Sequence, residues 1–165
     1  MMAPAHLAVV AAKKRSGGGG GGAWDESLAS GDVTAGVNNY TNVLRNCPVT
    51  LGAGNVTKLA AYKYTNSGKN VRVGLYKDSD RSLVVQGTIT ATGTGWNEVT
   101  VTSTAVTAGS YLLAVNAVAD GDQLGYSTTI GTRAAKTGDY NPLPDPLPAN
   151  DASSTGAIAL RAWVE

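Results

Sequence analysis

Between Asn70 and Asn116, short runs of β-branched and aromatic residues are cut at regular intervals by Gly, Asn, Asp and Ser. Residues 70–78, Asn-Val-Arg-Val-Gly-Leu-Tyr-Lys-Asp, alternate strictly, with Val71, Val73 and Leu75 on one side and Arg72 and Tyr76 on the other. A period of two is the signature of a strand with one buried and one wet face. A Ser/Asp turn, a second run over 83–91 and a Gly-rich turn at 92–95 follow. Trp96-Asn-Glu-Val-Thr-Val-Thr then leads through Ala108-Gly-Ser into Tyr111-Leu-Leu-Ala-Val-Asn. Several short strands separated by turn residues predict an all-β antiparallel sandwich or barrel.

The rest of the chain fits that expectation. Its 165 residues include 21 Gly, 7 Tyr, 3 Trp and no Phe. Thr, Val and Tyr suit a pleated, half-buried surface and Gly suits the turns. No apolar stripe of helical period is present. Strands are expected near 39–46, 48–51, 55–65, 70–78, 83–91, 96–102, 110–118 and 122–129, with a closing strand at 156–164. Tyr111–Val118 is apolar on both faces, as a central strand would be. Val71, Val73, Leu75, Val99, Val101, Leu113, Val115, Ile158 and Leu160 are the expected core. Residues 131–154 contain four prolines at alternate positions, Pro142 to Pro148, and predict a polyproline II strap over the surface.

Residues 1–22 differ from the domain at 23–165. An apolar run over 3–12 precedes Lys13-Lys14-Arg15 and six glycines, Gly17–Gly22. A secretory leader places its charges before the apolar run, so this segment is expected to be retained. It is also too short to span a bilayer. Glycines at this density make a tether. Leu7, Val9 and Val10 on such a tether suit a docking arm that adds to a neighbour's sheet edge, a disordered tail being the other reading.

Val71-Arg-Val-Gly-Leu-Tyr-Lys-Asp-Ser-Asp, Gly95-Trp-Asn-Glu-Val-Thr-Val and Thr107-Ala-Gly-Ser-Tyr-Leu-Leu-Ala-Val resemble the jelly-roll β-sandwich domains of bacteriophage virion proteins and of bacterial extracellular carbohydrate-binding-like modules. The resemblance covers roughly residues 50–130 and lies in structural motifs, so it speaks to fold before function. The family pattern often has a second aromatic after Tyr111, where this chain has Leu112.

The inventory argues against an enzyme. His6, the only histidine, sits in the arm, so neither a Ser-His-Asp nor a Cys-His site can form on the sandwich. One His and one Cys cannot make a zinc centre. Cys47 reads as a buried small hydrophobe, with an intermolecular bridge or reactive thiol as alternatives. No phosphate loop or nucleophile elbow follows a strand. A net charge of +1 with scattered Lys and Arg presents no nucleic-acid stripe. Carboxylates alone can serve a glycosidase, but the acids sit in turns, where turn chemistry explains them. No cofactor is expected. Asp78 with Asp80, and Asp120 with Asp122, have the spacing to share a structural calcium. Asn39-Tyr-Thr41 and Asn55-Val-Thr57 match the glycosylation sequon only formally.

Two functions therefore compete. One is a structural virion protein, a head decoration or tail component attached by its arm, working with other virion proteins or as a homo-oligomer. The other is an extracellular or virion glycan-binding module. Its candidate contacts are Trp96, Trp163, Tyr76 and Tyr126, with Arg72 and Arg161.

Overall fold

In a computed structural model, residues 22–65, 67–138 and 140–165 are described. The docking-arm residues Leu7, Val9 and Val10 lie outside them. Among the described residues twelve strands form: β1 (Ala23–Glu26), β2 (Ala35–Asn39), β3 (Val43–Leu51), β4 (Gly54–Lys63), β5 (Val71–Lys77), β6 (Leu83–Ile89), β7 (Gly95–Val106), β8 (Gly109–Ala117), β9 (Asp122–Tyr126), β10 (Thr132–Thr137), β11 (Ala152–Thr155) and β12 (Leu160–Val164). The only helical element among the described residues is a single 3-10 turn, Ser30–Asp32. The expected all-β antiparallel sandwich is present. In sheet A, β4 pairs with β7 on one edge and with β12 and then β9 on the other, flanked by β1 and β2. Sheet B runs β11-β10-β3-β8-β5-β6.

The strand boundaries depart from expectation in three places. The expected runs 39–46 and 48–51 are one strand, β3, continuous through Pro48. β10 pairs with β3 only over 43–46, so beyond Asn46 that edge is open and tolerates a residue without an N–H. The expected loop 131–154 contains β10 and β11, which pair with each other. β1 and β2 were not anticipated either; at four and five residues they are too short to show a period.

The core lies between the sheets. Val71, Val73, Leu75, Val101, Leu113, Val115, Ile158 and Leu160 are all buried as expected. Val99 is only partly buried, resting on the core from β7.

A second apolar cluster covers the outer face of sheet B. Leu143 and Leu147 of the proline-rich strap press on Leu44, Tyr76, Leu112 and Ala114. This is why β8 is apolar on both faces. Arg81 ties the strap down, its Nε donating to the Leu147 carbonyl at 2.9 Å and its Nη2 to the Pro148 carbonyl at 2.6 Å. The peptide bonds before Pro142 and Pro146 are cis, where a continuous polyproline II run was expected.

The loops gather at two ends. At one, the base, β1 begins beside the end of β12, and Asn55 donates to the Glu165 carbonyl at 2.7 Å. At the other, the tip, lie the turns 40–42, 64–70, 90–94 and 118–121. The ten residues of β4 separate the ends by about 30 Å at 3.3–3.4 Å per residue.

Candidate functional site

The sequence-predicted contact residues fall on three surfaces. Trp96, Trp163 and Arg161 do converge, on the outer face of sheet A, and Trp24 joins them. Trp24 is the cross-strand partner of Trp163, their ring centroids 5.3 Å apart edge to face. The Arg161 guanidinium lies 4.0 Å from the centroid of Trp24 and 4.1 Å from that of Trp96. Glu98 accepts from Arg161 Nη2 at 3.0 Å and Glu26 lies 3.6 Å from its Nη1. Burial lowers the Arg161 pKa, while these two carboxylates oppose that shift. Trp24 and Trp96 thus flank one cation, and Trp163 packs against the Trp24 ring. A sugar stacks on an open ring face; here the guanidinium takes one face of both Trp24 and Trp96, so the cluster works first as a cross-strand clamp.

Tyr76 and Arg72 lie on the other sheet. Tyr76 is fully buried beneath the strap and donates to the Pro144 carbonyl at 2.9 Å. Its alternation places it on the outer face as expected, but the strap covers that face, so the ring is closed to a partner. Arg72 Nη1 donates to Asn116 Oδ1 at 3.1 Å and to the Ala117 carbonyl at 3.0 Å. Tyr126 is half-buried, with the Arg133 guanidinium 4.7 Å from its ring centroid. These three therefore do not share a surface with Trp163.

The acidic turns are engaged internally. Asp80 accepts from the backbone N–H and hydroxyl of Ser82, holding its pKa down. Asp120 accepts from the Thr41 N–H at 2.6 Å. Asp122 is paired with Lys63 and accepts from the Ser67 N–H at 2.6 Å. Asp78 lies on the exposed β5–β6 turn. Among the described residues, no three His, Cys, Asp or Glu side chains converge as a metal site. Cys47 is fully buried, accepts from the Ile158 N–H at 3.2 Å, and has its pKa pushed up to about 12 by desolvation. That describes a core residue, not a nucleophile.

The open aromatic rings are elsewhere, at the tip, and the sequence reading missed them. Tyr40 is 39% and Tyr64 46% exposed. Near them is a groove of about 380 Å³ lined by Asn38, Tyr40, Thr65, Gly121, Asp122 and Gln123. Asn38 Nδ2 donates to the Tyr40 hydroxyl and Gln123 Nε2 to Asn38 Oδ1, both at 2.9 Å. Gly36 lets the Tyr64 ring approach the sheet: a Cβ there would stand 2.5 Å from Tyr64 Cδ1 and from Gln123 Oε1. The signal was in the sequence. Tyr-Thr-Asn occurs at 40–42 and again at 64–66, each time an aromatic followed by turn-forming residues.

No protein-family model matches the chain, and no curated protein matches it.

Proposed function

We propose that this chain is a non-enzymatic structural protein of a bacteriophage virion, a head decoration or tail component. It is held through residues 1–22 and presents the tip of its sandwich. The observation that carries this reading is the polarity of the domain. The chain enters at the base, where Gly22 lies against the Val164 carbonyl and Trp163, while Tyr40 and Tyr64 stand at the opposite end of sheet A. An anchor at one end and exposed rings at the other is the layout of a display module. Partners on this reading are other virion proteins or further copies of the chain.

The test is immunogold electron microscopy on particles from the source, with an antibody to the sandwich. Labelling at a defined head or tail position supports the proposal; its absence from purified particles overturns it. Deleting residues 1–22 is expected to leave the melting temperature nearly unchanged and weaken incorporation, because three apolar side chains contribute only about 5 kcal/mol against the ordering cost of the arm.

A glycan-binding reading is favoured by the tip groove. Two exposed tyrosine rings beside the carboxamides of Asn38 and Gln123 offer the ring faces and hydrogen-bonding groups that a hydroxyl-rich ligand takes. A glycan array on the purified domain tests it, with Tyr64→Ala expected to abolish any hit and Trp163→Ala to leave it intact.

A further inference from the structure

On the inner face of sheet B, where β10 pairs with β3, two guanidiniums lack a carboxylate partner among the described residues. Arg45 of β3 alternates with the outward Leu44 and Asn46 and shares its face with Cys47 of the core. It stands opposite Ala135 of β10, so Arg133 is its diagonal neighbour on that face, where side chains of this length interact. Arg133 is oriented by its Nη1, which donates to the Thr155 carbonyl at 3.0 Å and the Gly156 carbonyl at 2.9 Å. Its remaining nitrogens make no hydrogen bond among the described residues. Arg45 forms no ion pair among the described residues, and its buried Nη1 has no protein hydrogen-bond partner. Across the 40–42 turn, Asn39 ends β2; it is 1% exposed, and neither its amide nitrogen nor its oxygen has a protein partner.

Two like charges brought together with partial loss of water are unfavourable unless an opposite charge joins them. Burial and Arg133 both lower the Arg45 pKa, which expresses the same conflict. Lysines there would relieve it by losing a proton; guanidiniums do not, and they offer planar forks that match oxyanions.

We propose that Arg45 and Arg133 form a binding site for a small tetrahedral oxyanion, of the inorganic phosphate or sulfate class, on the inner side of the β3–β10 flank. The ion would bridge β3 and β10 from the inside and hold that flank of sheet B.

The experiment is calorimetric titration of the full chain with inorganic phosphate, beside thermal unfolding in phosphate and in chloride of matched ionic strength. Expected are a saturable heat and a saturable rise in melting temperature at low-millimolar phosphate. Arg45→Met should weaken binding about tenfold or more, as loss of a charge-assisted hydrogen-bonding group does. Arg45→Lys, which keeps the charge and loses the fork, should fall between, and it serves if Arg45→Met does not fold. General salting-out by phosphate does not saturate and does not depend on Arg45. No saturable response in the native chain, or equal affinity in native and Arg45 variant chains, overturns the proposal.

Discussion

Lys63 and Asp122 form an ion pair from which solvent is excluded, their side chains 0% and 1% exposed. Lys63 Nζ also donates to the Lys69 carbonyl, and Asp122 to its other side holds the Ser67 N–H and hydroxyl. The pair thus ties the 64–70 loop to β9 directly beneath the tip groove. Removing one partner strands a buried charge. Asp122→Ala is expected to cost about 3–5 kcal/mol in urea denaturation. The double change Lys63→Met with Asp122→Leu should recover most of that loss, yet leave amides of the 64–70 loop exchanging faster with solvent.

Because Asp122 is neutralised by Lys63 and Asp80 and Asp120 cap turns, calcium has little to gain at these sites. Melting curves in excess calcium and in excess chelator are expected to coincide. A chelator-induced drop would show that a carboxylate here is a metal ligand.

The Arg161 clamp predicts a cost that charge alone does not explain. Its two ring contacts are each worth about 0.5–1 kcal/mol at a partly exposed site. Arg161→Ala should therefore lower stability by about 1–2 kcal/mol, measured by chemical denaturation. Arg161→Lys should restore only part, since an ammonium lacks the planar surface that lies between Trp24 and Trp96.

The strap predicts another loss at a distance from the main core. Leu143 and Leu147 are 3% and 2% exposed, so truncating either to Ala should cost about 2–4 kcal/mol. Tyr76→Phe removes the hydrogen bond to Pro144 and should cost about 1 kcal/mol. Protease cutting within 140–150 should speed up in all three variants.

Alkaline pH should destabilise the fold through Cys47. The thiol ionises near 9.0 without burial and at about 12 in the core. Between those values the folded chain keeps a proton that the unfolded chain releases. Its stabilising contribution is complete below pH 9 and falls as pH rises toward 12, by about 1.4 kcal/mol per unit. Burial raises the Tyr76 pKa as well, adding to the loss above pH 10 in the same sense. Cys47→Ala should flatten the first part of this profile in unfolding measurements, and native Cys47 should resist alkylation at neutral pH.

The sequence by itself determined the class of fold, because alternation is a local property. Val71, Val73 and Leu75 declare a buried face without reference to any other segment, and so do Ile158, Leu160 and Ala162. It also determined that the 140–150 segment runs as a strap, since four alternate prolines cannot join a ladder as an interior strand. Tertiary structure decided what these segments meet. β10 and β11 carry no apolar alternation, and β11 is exposed throughout; they are strands because β3 leaves an edge for β10 to pair with. Tyr76 points outward by its period, yet it is buried because a strap about 70 residues further along covers it. Trp24, Trp96 and Arg161 meet only once β1, β12, β4 and β7 lie side by side, so no sequence window contains that clamp. The same holds for Arg45 and Arg133. Their shared face depends on the register between two strands far apart in the chain, and register is fixed by packing and pairing, not by local preference.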